Sequence, residues 1–395
     1  MKIYLPIILL ALLSSSVQSD EFSETLELAE QGNAVAQYNI GVMYNRGMGV
    51  PKNNAKAINW YKKSAEQGDA NAQFNLGVMY DNGEGVWENN AEAIKWYKKS
   101  ASQGDARAQN NLGLLYFNGE GVPKNYAEAI KWHRKAADQG YFLAQYVLGW
   151  MYGNGEGVPK NDAEAIKWYR KAADQGFARA QYNLGNMYQA GEGVLYDPQE
   201  AVKLFRKAAD QGNARAQSDL GLMYRIGEGV RENDNEAVKW FKKAAAQNYA
   251  RAQQNLGLMY HRGEGVVKSD TAAIKYFRKA ADQGLAEAQS NLGLMYRKGE
   301  GTPENYAEAA RWFKKAAEQS DRKAQESLGN MYLNGEGVQK NNISSYIWYS
   351  MAKTQGDPNV AGNLELLKSN MTRDEIEKAQ VLAAKCYESD YKDCD

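Results

Sequence analysis

Two histidines and two cysteines are the scarcest chemically useful residues in this 395-residue chain. A general base needs a partner at matching spacing, and His133 and His261 lack one: no H-E-x-x-H, C-x-x-C, G-x-S-x-G or phosphate-loop pattern occurs. His133 occupies a slot filled by Tyr or Phe elsewhere and reads as a packed residue, whereas His261 falls at a variable, exposed position. A hydrolase acting on peptidoglycan or β-lactams, such as a β-lactamase, would have only these two bases and ranks last among the functional readings. Cys386 and Cys394 close a short loop, and in an oxidising compartment they pair as a disulfide contributing up to about 3 kcal/mol. No base flanks either thiol, so a tail staple is favoured over a redox site. No catalytic residue, metal ligand set or cofactor is expected.

Two recurring features invite a chemical reading and receive a plainer one. Gly83-Glu84-Gly85 and its copies are superficially like a phosphate loop, but the third glycine and the preceding strand are missing. The Glu series (Glu84, Glu120, Glu156, Glu192, Glu228, Glu264, Glu300, Glu336) reads as turn solvation rather than a cation ridge. Dibasic pairs such as Lys62-Lys63, Arg170-Lys171 and Lys314-Lys315 suit helix C-termini and solubility better than acidic polymers.

What positions these residues is a repeat. Gln37 recurs at Gln73, Gln109 and onward to Gln325 in steps of 36 residues without insertion or deletion, and Tyr44 recurs in the same way to Tyr332. The Trp60-Tyr61 slot returns as Trp96-Tyr97, Trp132-His133, Trp168-Tyr169, Leu204-Phe205, Trp240-Phe241, Tyr276-Phe277, Trp312-Phe313 and Trp348-Tyr349. Nine units in one register account for the 37 Gly, 26 Tyr and 9 Trp and replace the two or three domains that length suggests. Each unit reads as two helices. The first carries Ala36, Gln37, Ile40, Gly41 and Tyr44 on one face. Glycine is kept at the Gly41 slot in all nine units, at about 1 kcal/mol each, which implies another helix crossing too closely for a side chain. The second helix starts at N-cap residues Asn53, Asn89, Asn125, Asn161, Asp197, Asn233, Ser269, Asn305 and Asn341. Six units add Glu three residues later, close to a capping box. It closes at Gly68 and its copies, with Asn248 and Ser320 as departures.

The pattern A-x-A-Q-x-x-L-G-x-x-Y-x-x-G-x-G-V followed by W-[YF]-x-x-A-A-x-x-G resembles the Sel1-like repeat family, a relative of the tetratricopeptide repeat, over nearly the whole chain. The resemblance implies an all-α fold: a right-handed α-solenoid of nine 36-residue helix-pair repeats with terminal capping helices and a concave inner face. Domain boundaries follow: residues 1–19 a signal peptide, 20–32 an N-terminal capping half-helix, 33–356 nine repeats, and 357–395 a degenerate repeat, a C-terminal capping helix opened by Thr372 and Glu375, and a tail. Some Sel1-like proteins carry a Cys pair in every repeat, and enzymatic activity has been proposed for such members; this sequence lacks those pairs, so the resemblance implies no enzyme here.

In tetratricopeptide relatives ligands contact the inner face of the first helix, here positions 35, 38, 42, 45 and 46 and their copies. Helical geometry puts these opposite the packed face. The earlier units place Tyr38, Phe74, Phe117, Leu143, Tyr146, Trp150 and Tyr182 there. The later ones place Arg179, Arg215, Arg225, Arg251, His261, Arg262, Arg297, Lys298 and Lys323 there, with Glu287 and Glu326 the only acids in those slots. Aromatic and Arg residues are common interface anchors.

The first residues read as an address: Met1-Lys2, an apolar run from Ile3 to Leu13, then small residues, with cleavage before Asp20. No Cys follows the run, so the chain is read as exported, periplasmic or extracellular, soluble and not a lipoprotein, with no stable membrane insertion after cleavage. The 48 basic residues equal the 48 acidic ones, which argues against nucleic acid. The leading function is a noncatalytic scaffold or adaptor binding a protein or extended peptide with acidic groups, a cell-envelope or host protein. The second is peptidoglycan or polysaccharide binding through the aromatic stripe.

Overall fold

The computed structural model describes residues 21–356, 358–389, 391 and 394; the expected signal peptide, residues 1–19, and the expected cleavage point before Asp20 lie outside them. Every regular element among the described residues is an α-helix. The chain forms two compact units, residues 1–196 and 197–395. The first holds a helical segment at 21–30 and nine helices from Ala34–Arg46 to Ala178–Ala190. The second runs from Pro198–Asp210 through Arg322–Asn334 and Asn342–Lys353 to Pro358–Ser369 and Arg373–Glu388. Within each unit a helix packs chiefly on its sequence neighbours, as helix pairs in a solenoid do.

The start signals act as the sequence predicts. Asn53 accepts a hydrogen bond from the Lys56 backbone N–H at 3.0 Å, and Asn89, Asn125, Asn161, Asp197, Asn233, Ser269, Asn305 and Asn341 cap their helices likewise. The Glu three residues on does something else. Instead of reaching back to the cap, Glu128 accepts from the Trp132 indole N–H at 3.1 Å and pairs with Lys131 at 2.8 Å, and Glu164 repeats this with Trp168 and Lys167. A reciprocal capping box forms at Thr372 and Glu375. At the second-helix ends Asn248 and Ser320 keep the left-handed backbone of the glycines they replace, at φ 62° and 66°. Near the C-terminus Cys386 and Cys394 form a disulfide.

The glycine kept inside each first helix faces a ring. A Cβ on Gly41 would lie 2.5 Å from the Tyr61 ring, and on Gly257 it would lie 2.7 Å from the Phe277 ring. The space that glycine leaves is therefore filled by the aromatic side chain of the same repeat's second helix, more than by the crossing backbone that the sequence suggests. Gln37 and its copies are buried for a different reason. The Gln37 side-chain amide donates to the Ala29 carbonyl at 3.0 Å, at the end of the preceding helix, and accepts from Gln67 at 2.7 Å. Gln73 with Ala65 and Gln103, and Gln289 with Ala281 and Gln319, repeat the relay. Each relay adds a second hydrogen bond to a last-turn carbonyl that otherwise accepts only from the N–H of the closing turn.

Gly257→Ala is expected to lower unfolding free energy by about 1–2 kcal/mol, because overpacking against Phe277 outweighs the helix-propensity gain. Gly362→Ala, where a Cβ meets nothing within 4 Å, is expected to be neutral or mildly stabilising. Denaturant titration of the two variants checks the contrast.

Candidate functional site

In the first unit the slot three residues before the conserved glycine is aromatic in most repeats. Tyr38, Phe74 and Tyr146 lie against Tyr61, Tyr97 and Tyr169 of their own second helices, with ring centroids 5.9, 6.0 and 5.8 Å apart. Burial raises the Tyr61 hydroxyl to about 12, and Tyr97 and Tyr169 shift the same way. Each of those hydroxyls bonds an Asn fourteen residues later: Asn75, Asn111 and Asn183. Phe74 is further covered by Arg107, 4.3 Å above its ring, which Asp105 holds at 2.6 Å. Tyr38 and Phe74 thus contribute to packing, and both are half-buried.

The third repeat breaks this pattern. His133 replaces the tyrosine, Val147 replaces its asparagine, and Asn110 replaces the covering aromatic. His133 is fully buried over Gly113 and neither ring nitrogen has a hydrogen-bond partner among the described residues. Burial pushes its pKa down to about 4. It is a packed residue, as its slot implies. Nearby, Phe117, Tyr146 and Trp150 come together with Leu114 and Val147 around an apolar pocket of about 260 Å³. Phe117 meets Trp150 edge-on at 5.7 Å. Tyr182 is half-buried and Arg179 exposed.

In the second unit the covering aromatics are gone. Ser218, Gln254 and Ser290 take their slot, and the rings on Gly221, Gly257 and Gly293 are Phe241, Phe277 and Phe313, without hydroxyls. Two adjoining hollows open there. One, of about 210 Å³, is lined by Ser218, Leu222, Arg225, Arg251 and Gln254; the other, of about 420 Å³, by Gln254, Leu258, Arg262, Ser290, Asn291 and Lys323. Gln254 and Glu287 belong to both, so the hollows form one trough.

The basic series is less uniform than its sequence suggests. Scarcity of acids in the same slots does not leave these cations alone, because the acids come from loops and neighbouring helices. Arg297 pairs with Glu336 at 3.0 Å, His261 with Asp270 at 2.8 Å, Arg262 with Glu264 at 3.5 Å and Lys298 with Glu300 at 3.8 Å. Arg225 reaches Asn255 at 3.5 Å. Arg215, Arg251 and Lys323 are exposed and make no ion pair among the described residues. Among the repeated loop Glu residues, Glu264 and Glu300 thus act locally and Glu336 reaches back to the preceding repeat, while many of the dibasic residues stay on their own helix: Lys63, Lys171 and Lys315 sit 4.0, 4.3 and 4.5 Å above Trp60, Trp168 and Trp312. Among the described residues no cluster of His, Cys, Asp and Glu suits a metal ion, and no helix is long and apolar enough to cross a membrane.

The trough residues Gln254, Ser290, Asn255 and Asn291 do not stand out in a search for aromatic and charged side chains. Their signal is a local one: in the repeats of Gly221, Gly257 and Gly293 the covering aromatic is lost and the ring is a phenylalanine, although Tyr182 persists in the repeat of Phe205.

Stacked helix pairs with a variable face define a repeat scaffold of the kind typical of protein–protein interaction. The Sel1 repeat model matches residues 34–69, 70–105, 106–141, 143–177, 178–213, 214–249, 250–285, 286–321 and 322–357, and the chain belongs to this family, whose members are generally non-catalytic. Among solved structures it is similar to c5321, a protective antigen present in uropathogenic Escherichia coli strains, at 34% identity over 94% of this chain and 87% of that one, with a TM-score of 0.60. It is also similar to a Sel1 repeat protein from Oxalobacter formigenes, at 35% identity over 78% of this chain and 90% of that one, with a TM-score of 0.63. No curated protein matches the chain.

His133 gives the fold an acid sensitivity. The unfolded chain takes up a proton there near the ordinary value of 6.5, and the folded chain only near 4. Folding excludes the proton between those values, so stability is lost as pH falls from about 6.5 to 4, by roughly 3 kcal/mol in all. His133→Phe, which copies the Phe241 arrangement, is expected to remove most of that loss; urea titrations at pH 7 and 4.5 on both proteins measure it.

Proposed function

We propose that the chain is an exported, noncatalytic adaptor that binds a partner protein through the variable face of its first helices, with the trough of the second unit as the principal contact. The observation that carries this is the trough itself, rimmed by the exposed and unpaired Arg251 and Lys323. Arginine there can hold a partner's carboxylate through two hydrogen bonds. The leader-like residues 1–19 and the Cys386–Cys394 disulfide support a location outside the reducing cytosol. The similarity to a protective antigen supports the cell envelope or the host interface. A second reading, polysaccharide binding, is favoured by the pocket of Phe117, Tyr146 and Trp150, whose ring faces suit sugars.

Crosslinking and affinity purification from the native envelope and culture fluid test the adaptor. The wild type is expected to capture a discrete partner, and a combined Arg215→Glu, Arg251→Glu, Lys323→Glu variant to lose it with helical content unchanged. Equal capture by both refutes the reading. Retention on peptidoglycan that Trp150→Ala abolishes supports the polysaccharide instead. Mass spectrometry of the exported chain is expected to find Asp20 at its N-terminus, and persistence of residues 1–19 rules that out.

A further inference from the structure

The trough has a floor of a particular chemistry. Ser218, Gln254 and Ser290 are 2%, 4% and 8% exposed and lie one repeat apart. The Gln254 Oε1 is buried with no hydrogen-bond partner among the described residues. An acceptor left in that state costs about 1–3 kcal/mol unless something enters to satisfy it. Asn291 also lacks a side-chain partner among the described residues, because the Tyr hydroxyl that its counterparts Asn75, Asn111 and Asn183 bond is absent from Phe277. Side-chain amides offer a donor and an acceptor together, which matches the N–H and C=O of an extended peptide. The walls are Leu222, Leu258 and Leu285, with no aromatic ring in the lining on which a sugar would stack. Arg225, Arg251, Arg262, Arg322 and Lys323 outnumber Asp219, Glu287 and Asp321 along the trough.

We propose that this trough reads the main chain of an extended acidic peptide: Gln254 and Asn291 bond its backbone, while Arg251 and Lys323 take its carboxylates. The inference rests on the adaptor reading and narrows it to one site and one ligand chemistry. Its test copies the chain's own solution to closing the same space. Ser290→Tyr and Gln254→Phe place a ring in the slot that Tyr38, Phe74 and Tyr146 occupy. Phe277→Tyr restores the hydroxyl that would engage Asn291 and adds no bulk over the trough.

Twelve-residue random peptides displayed on phage are panned against the exported chain, and enriched peptides are synthesised and titrated by fluorescence anisotropy. Enriched sequences are expected to be rich in Asp and Glu. Ser290→Tyr and Gln254→Phe are expected to weaken them by about tenfold or more, with thermal unfolding at or above the wild-type temperature. Phe277→Tyr should weaken them severalfold and supplies the same reading if either plugged variant misfolds. Absence of enrichment, enrichment of basic or apolar peptides, or equal affinity for all four proteins overturns the proposal. The adaptor reading is separable: if Ser290→Tyr still captures the envelope partner, the adaptor stands and the trough site falls.

Discussion

The seating of one aromatic ring on one glycine is the constraint from which the rest follows. In each compact unit the second helix of a repeat lays a Tyr, Phe or His edge where the first helix has no Cβ. A side chain on that glycine and the ring cannot share the space, so both positions are fixed together, repeat after repeat. Because the ring lies across the first helix, the residue three places before the glycine stands over it. That residue has two options, to cover the ring or to leave a hollow. Tyr38, Phe74 and Tyr146 cover it, whereas Ser218, Gln254 and Ser290 leave it open. Whether a hollow opens on this scaffold is thus decided by a choice internal to packing, without a loop insertion.

The glutamine relay plays the complementary part. The ring and glycine join the helices within a repeat, and the relay joins one repeat to the one before it. Gln37 donates to the Ala29 carbonyl and accepts from Gln67, so the nitrogen and the oxygen of a buried amide are both engaged. Gln254 sits one residue after the relay glutamine Gln253, whose oxygen takes the bond from Gln283 at 2.7 Å. The two neighbours have the same chemistry and different circumstances: one is committed to the fold, and the other lines the trough and has a buried oxygen with no hydrogen-bond partner among the described residues. That contrast, more than burial, separates the structural amide from the one we propose for recognition.

Much of the fold is legible in the sequence because its signals are local. N-caps, left-handed termini and the helical face depend on residues a few positions apart, and Asn248 and Ser320 show that even the departures keep the backbone they replace. Partners at longer range are less legible. The Glu after each cap has a capping-box position, yet the Trp indole four residues on or the Lys three residues on competes for its carboxylate and wins. The cations of the variable face look unopposed when only their own slots are compared, but Glu336 comes to Arg297 from thirty-nine residues away. Gln254 and Asn291 escape notice because each is an ordinary polar residue. Their meaning lies in what is missing opposite them, the covering ring and the tyrosine hydroxyl.

The same reasoning separates two sites where the pattern is broken. At His133 the tyrosine, its asparagine and the covering aromatic have all changed, yet the space stays filled: the imidazole is fully buried and its unpartnered nitrogens face packed neighbours. An unsatisfied group with no access can only weaken the fold, and it does so through its suppressed protonation. At Gln254 the ring is retained as Phe277 while the cover and the hydroxyl are lost, so the unsatisfied group belongs to a residue lining open volume, beside Arg251 and Lys323, which make no ion pair among the described residues. Both sites carry an energetic cost, but only the second can recover it from a ligand. Accessible volume beside the orphaned atom, more than the orphaned atom itself, is what marks a binding site in this repeat.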